Sequence, residues 1–252
     1  MSDELRSKWL HQFLLWEKLR GLKFNRAVMP SDAVDEKMRL IQKVDASNAM
    51  LNQACWGGFR LRSGGFSCQQ ILARNLLAPK NSTIPKLELQ CLTNGSNMCW
   101  LVRKSLEDWI DEYIICGDSI IALCWVTSEK KSLSTFHRNR VIQIRRCTDL
   151  ERLYHVKTEE NLADLGTRPG KVKVTDVGPE SEWENGKEWM RQELSVAVSN
   201  GILKPVSELR LNLEAAEEFK EGLLLSQDTE KFFCNVASGN RVDKLIERSH
   251  YY

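Results

Sequence analysis

The sequence predicts an α/β fold: a mixed sheet flanked by helices, preceded by a separate helix and followed by an irregular, partly helical stretch. Three observations predict it. Short apolar runs bounded by turn residues ("MRLIQKVDAS", "YIICGDS", "ERLYHVKT") read as strands, and they alternate with stretches of helical period such as "STFHRNRVIQIRRC". Two glycine pairs, Gly57-Gly58 and Gly64-Gly65, are turn or bulge signals in a stretch that reads as strand, hairpin, strand. The chain has 252 residues, enough for one full core plus smaller appendages.

Each element follows from its residues. Over residues 3–22, Leu5, Trp9, Phe13 and Trp16 recur at three- and four-residue steps, which predicts an amphipathic helix packed on a neighbour. Pro30 closes a connector, and residues 34–45 form a strand whose end presents Asp45. After the hairpin, Pro79 and Pro85 bracket a loop, and Pro85 stands where a helix can begin. That helix, about residues 86–107, carries Glu88 in its first turn; its middle, "QCLTNGSNMC", is weak in helix formers, and Gly95 is costly there. "YIICGDSIIALCWV" reads as a buried strand, a sharp turn at Gly117-Asp118, then a helix. A second helix follows, then the strand "ERLYHVKT", and "NLADLGTR" opens a last helix with Asp164 near its start. Beyond Pro169 the composition shifts, and "DVGPESEWENGKEWM" and the Glu-rich "SELRLNLEAAEEFKEGLLLSQDTEK" read as a linker with one or two short helices. The organisation is residues 1–33 as helix and connector, 34–172 as the α/β domain, and 173–252 as linker.

Composition narrows the class. Charged residues are 28% and hydrophobic ones 42%, so most of the chain is globular. The net charge of +2 means that any nucleic-acid binding comes from local patches. None of the eight cysteines forms a Cys-x-x-Cys pair, which argues against a zinc knuckle and for buried free thiols. Met1 leads straight into a charged helix, and no apolar run approaches the roughly 20 residues of a membrane span. The chain reads as intracellular and reduced, with no membrane partner.

Four carboxylates carry the functional reading: Asp45 in "VDAS", Glu88 in "IPKLEL", Asp118 in "CGDS" and Asp164 in "NLADLGTR". Carboxylates gathered in one cleft repel each other and stay ionised when they share divalent cations, which take hard oxygen ligands. Two such ions can activate a water and stabilise the leaving oxygen of a phosphodiester. Taken singly, each also has a structural role. Glu88 suits the start of a helix, Asp118 a helix cap, Asp164 a first turn, and Asp45 a solvated strand end.

These motifs stand in an order that resembles a known family. "VDASNA", "LLAPKNSTIPKLEL", "GDSIIALCWV", "TFHRNRVIQI", "HVKTEENLADLGTRP" and "VGPESEW" with a following "WM" are similar to the ribonuclease H region of BEL/Pao-type LTR retrotransposon polyproteins. The resemblance implies a ribonuclease H-like five-stranded mixed sheet flanked by helices, cutting the RNA strand of RNA/DNA hybrids. It implies that Asp45 bridges two Mg²⁺ ions, with Mn²⁺ able to substitute. Glu88 and Asp118 then hold one ion near the leaving 3′ oxygen, and Asp164 completes the other. Asn48 and Ser119 are candidate contacts to sugar or phosphate, and Arg138 and Arg145, seven residues apart on one helix face, are candidate phosphate contacts. His155 reads as a strand residue.

The resemblance also implies a reverse transcriptase before this region and an integrase after it, in a cytoplasmic virus-like particle or the nucleus. No Tyr-x-Asp-Asp motif and no His/Cys zinc module occurs, so the chain reads as a piece of such a polyprotein. No Asp-Thr-Gly or Asp-Ser-Gly triplet occurs, which argues against aspartic-peptidase chemistry. Departures lie in "TNGSN", where the family places an alanine-rich helix, and in "MLNQACWGG", where an alternating strand is expected. Such drift leaves a second reading open: a catalytically silent fragment that binds nucleic acid or serves as a scaffold.

Overall fold

A computed structural model describes residues 2–128, 133–168, 170 and 172–210. The helix α1 (Asp3–Leu19) comes first, with the Ser2 side chain capping its start. Strands β1 (Ala33–Ala46), β2 (Met50–Leu61) and β3 (Gln69–Leu77) form an antiparallel meander. Helix α2 (Ile84–Ser105) crosses to β4 (Ile110–Gly117), which pairs parallel with β1. Helices α3 (Ile120–Thr127) and α4 (Thr135–Cys147) lead to β5 (Leu153–Val156), parallel to β4. A single turn, α5 (Asp164–Thr167), is followed by the short helices α6 (Glu182–Asn185) and α7 (Leu194–Ser199) and by β6 (Leu203–Pro205). The strand order is β3-β2-β1-β4-β5-β6. Three antiparallel strands followed by two parallel ones make the ribonuclease H-like arrangement.

The sheet has six strands, not five. β6 adds antiparallel to β5, pairing Tyr154 with Pro205 and Val156 with Leu203. It comes from the stretch read as linker. Up to Leu209 that reading gives way to a folded segment covering the second face of the sheet; the stretch from residue 211 onward lies outside the described residues. Strand alternation explains why both faces need cover. Leu40 and Val44 of β1 face α2, α3 and α4 with Leu87, Leu92, Trp125 and Ile144. Ile41 faces the other way and packs with Trp56, Ile114, Trp189, Met190, Ala197 and Leu203. Arg39, on Ile41's side, is 3% exposed and donates to the Met190 and Gln192 carbonyls at 2.7 and 2.9 Å.

Three local expectations change. β2 makes no turn at Gly57 and Gly58, although its register against β3 shifts just before them, between Cys55 and Trp56; glycine is needed because an added Cβ would stand 2.4 Å from the Met38 sulfur at one and 2.5 Å from the Ser67 carbonyl at the other. The hairpin turn is at the second pair, Gly64 and Gly65, as read, both at positive φ. α2 runs unbroken through "TNGSN", whose small residues let the helix lie close to β1; a Cβ on Gly95 would stand 2.2 Å from Val44 Cγ1. The apolar side of α1 does not pack as expected. Trp9, Phe13 and Trp16 stay about half exposed (48%, 51% and 47%). Of the eight cysteines, seven fall among the described residues and are free thiols, five of them buried.

Candidate active site

The geometry starts from strand register. β1 and β4 run parallel with Val44 opposite Gly117, so the residues that follow, Asp45 and Asp118, leave the carboxyl ends of adjacent strands. In parallel sheets that edge is where ligands bind. Glu88 comes from α2, one turn later than expected: it is the fifth helical residue, because the helix opens at Ile84, and no acidic residue occupies the first turn. Oxygen atoms of Asp45, Glu88 and Asp118 lie within 4.8 Å of one another.

Burial raises all three. Desolvation, then the Asp118 and Asp164 charges, push Asp45 up to about 7 against the pull of the Thr167 hydroxyl. Desolvation, then Asp45 and Asp118, push Glu88 up to about 9. Asp118 is raised by desolvation, with Thr158, Asn161 and His155 pulling it back. Its Oδ1 is buried and accepts no hydrogen bond.

Asp164 stands beside this trio, not within it. It is the first residue of the one-turn α5, shorter than the helix expected, and Arg168 four residues on engages both of its oxygens, Nε donating to Oδ1 at 2.6 Å. Its charge is still felt at Asp45. Thr167, on the same turn, donates its hydroxyl to Asp45 Oδ2. The Asn161 amide donates to the Val44 carbonyl at 2.9 Å, and His155 Nε2 donates to the Asp118 carbonyl at 3.1 Å. His155 is a strand residue, as expected, and one that holds the turn after β4.

The other candidates separate. Asn48 is exposed in the β1–β2 hairpin, close in sequence to Asp45. Arg138 is exposed on α4. Arg145 is committed elsewhere: it donates to the Val126 carbonyl at 2.9 and 2.6 Å and to Ser128 at 2.8 Å, closing the end of α3. The Ser119 hydroxyl caps α3, accepting from the Ala122 amide at 3.3 Å. Both residues therefore serve the helix that follows Asp118. Thr167, Asn161 and the buried Lys43 escaped the sequence reading. Only "NLADLGTR", which holds two of them, hinted at more than its aspartate.

One comparison reaches the region that holds the trio. Residues 1–119 match the model of the Pao retrotransposon-like RNaseH-like domain. The matched stretch contains Asp45, Glu88 and Asp118; Asp164 lies beyond it. No curated protein matches the chain. Solved structures similar to it include RNase H1 from the halophilic archaeon Halobacterium salinarum NRC-1, 13% identical over 50% of this chain and 90% of that one, TM-score 0.32. LC11-RNase H1, isolated from compost by a metagenomic approach, is 14% identical over 52% and 93%, TM-score 0.34. The same enzyme in complex with an RNA/DNA hybrid is 13% identical over 51% and 91%, TM-score 0.34. The fold assignment rests on the strand order and directions above.

Proposed function

We propose that this chain is the ribonuclease H region of a retrotransposon Pol polyprotein, a metal-dependent endonuclease that cuts the RNA strand of RNA/DNA hybrids. The observation that carries the reading is the meeting of three carboxylates, from β1, α2 and the end of β4, within 4.8 Å in one partly buried cleft. Burial and mutual repulsion oppose ionisation of that trio. A divalent cation reverses the balance. The donors are all oxygen, which suits Mg²⁺ with Mn²⁺ as substitute, and the unpartnered Asp118 Oδ1 fits a ligand atom.

Asp45, Glu88 and Asp118 would hold one ion, and Asp45 with Asp164 a second, once Asp164 exchanges Arg168 for it. Bound there, two ions supply a water of lowered pKa and neutralise charge on the leaving 3′ oxygen. The chain's own residues do the positioning. Thr167 fixes one oxygen of Asp45. Asn161 holds the strand carbonyl just before it. Arg138 is the proposed phosphate contact and Asn48 the sugar contact. They orient a hybrid recognised by shape and 2′-hydroxyl groups, without reading bases. Reverse transcriptase and integrase as polyprotein neighbours, and a virus-like particle or nucleus as the setting, come with the resemblance and belong to this proposal.

The test is cleavage of a labelled RNA/DNA hybrid in Mg²⁺ by this chain and by Asp118→Asn. Cleavage lost in the variant supports the reading. Absence of cleavage by the folded wild type, in Mn²⁺ as well, leaves a catalytically silent fragment of ribonuclease H fold.

A further inference from the structure

Lys43 lies two residues before Asp45 on the same face of β1, and its side chain is wholly buried. Its ammonium donates to the Glu160 carbonyl at 2.6 Å. Nζ also stands 4.6 Å from the Trp189 ring centre and 5.8 Å from that of Trp56. A core gains nothing from a lysine here, since an apolar side chain of similar volume fills the space without desolvating a charge. What the lysine adds is one directional bond, and its target is specific. Glu160 and Asn161 are consecutive, and so are Lys43 and Val44. Lys43 holds the Glu160 carbonyl while the Asn161 side chain holds the Val44 carbonyl, so the turn is laced to β1 in a fixed register. The next strand residue is Asp45, and the Asn161 carbonyl accepts from the Asp164 amide at 3.1 Å. Glu88, by contrast, is carried by α2, and Asp118 by the end of β4, although Thr158 and Asn161 of the same turn also reach its carboxylate.

We propose that Lys43 is a positioning residue for the second-ion half of the site: by fixing the turn at Glu160 and Asn161 against β1, it sets where Asp164 stands relative to Asp45. This rests on the two-ion reading above. The test is calorimetric titration of the folded, full-length chain with Mn²⁺, which needs no turnover. Wild type is expected to bind two ions. Lys43→Met, which keeps the stem and removes the donor, should weaken the second ion about tenfold or more, the usual cost of losing a support behind a ligand, and the first by clearly less. Its thermal midpoint should match or exceed that of wild type, because the buried charge is gone. Lys43→Arg, which keeps a donor, should recover much of the second affinity. If Lys43→Met does not fold, Lys43→Gln carries the same expectation, since its amide falls short of Glu160. Both ions bound as in wild type, or both weakened equally, would overturn the proposal while leaving the metal site standing. A wild type that binds no ion would overturn the site and the proposal together.

Discussion

Glu88 is displaced further than Asp45: burial, then Asp45 and Asp118, take it from 4.5 to about 9. A carboxyl raised in the folded state contributes stability that is complete below its unfolded pKa and is lost as pH rises through the folded one. For Glu88 that window runs from 4.5 to about 9, and for Asp45 from 3.8 to about 7. Glu88→Gln therefore flattens the pH dependence: the metal-free variant should melt a few degrees above wild type at pH 9 and no higher at pH 4, read by thermal unfolding. Gly95 gives a prediction of opposite sign. In an open helix Gly95→Ala would gain about 1 kcal/mol, but here the Cβ meets Val44 Cγ1 at 2.2 Å, and overpacking costs about 1–3 kcal/mol. Denaturant unfolding should show net destabilisation, relieved by Val44→Ala. Asp45, Glu88 and Asp118 were legible because each ends or opens an element that its neighbours announce. Thr167, Asn161 and Lys43 were not, since their partners lie more than 100 residues away in the chain.

At the scale of elements, the meander, β4 and α4 were legible because period and punctuation agree in them. The segment after α5 was not. Its helices have four and six residues and its strand three, too short for periodicity, and its many charged residues gave it the look of a linker. Yet Trp189 is 3% exposed and Met190 wholly buried against Ile41 and Trp56. β1 hid the same fact. Arg39 and Lys43 flank Ile41 on one face of β1, and both cations are buried donors to backbone carbonyls. The consequence is measurable: Trp189→Ala should cost about 3–5 kcal/mol in denaturant unfolding, as for a core aromatic. A linker tryptophan would cost within about 0.5 kcal/mol. The small residues of α2 likewise looked like drift and instead are fitted to β1.

For the whole molecule, topology does the gathering. Running β1 and β4 parallel brings two chain segments 73 residues apart to one edge of the sheet, and α2 lowers Glu88 onto it. Among the described residues no helix is long and apolar enough to cross a membrane. The carboxylates then couple fold stability to metal. In metal-free protein the cleft opposes folding increasingly as pH rises, whereas cation binding requires the same groups ionised and so strengthens with pH. A ligand that binds only the native state raises its stability with concentration. The most direct test is thermal unfolding with and without 10 mM-scale Mg²⁺, at about pH 6 and about pH 9, for wild type and Glu88→Gln. The account predicts stabilisation of wild type by Mg²⁺, larger at the higher pH, and little in the variant. A midpoint indifferent to Mg²⁺ at both pH values, or one that Glu88→Gln leaves just as responsive, would contradict it.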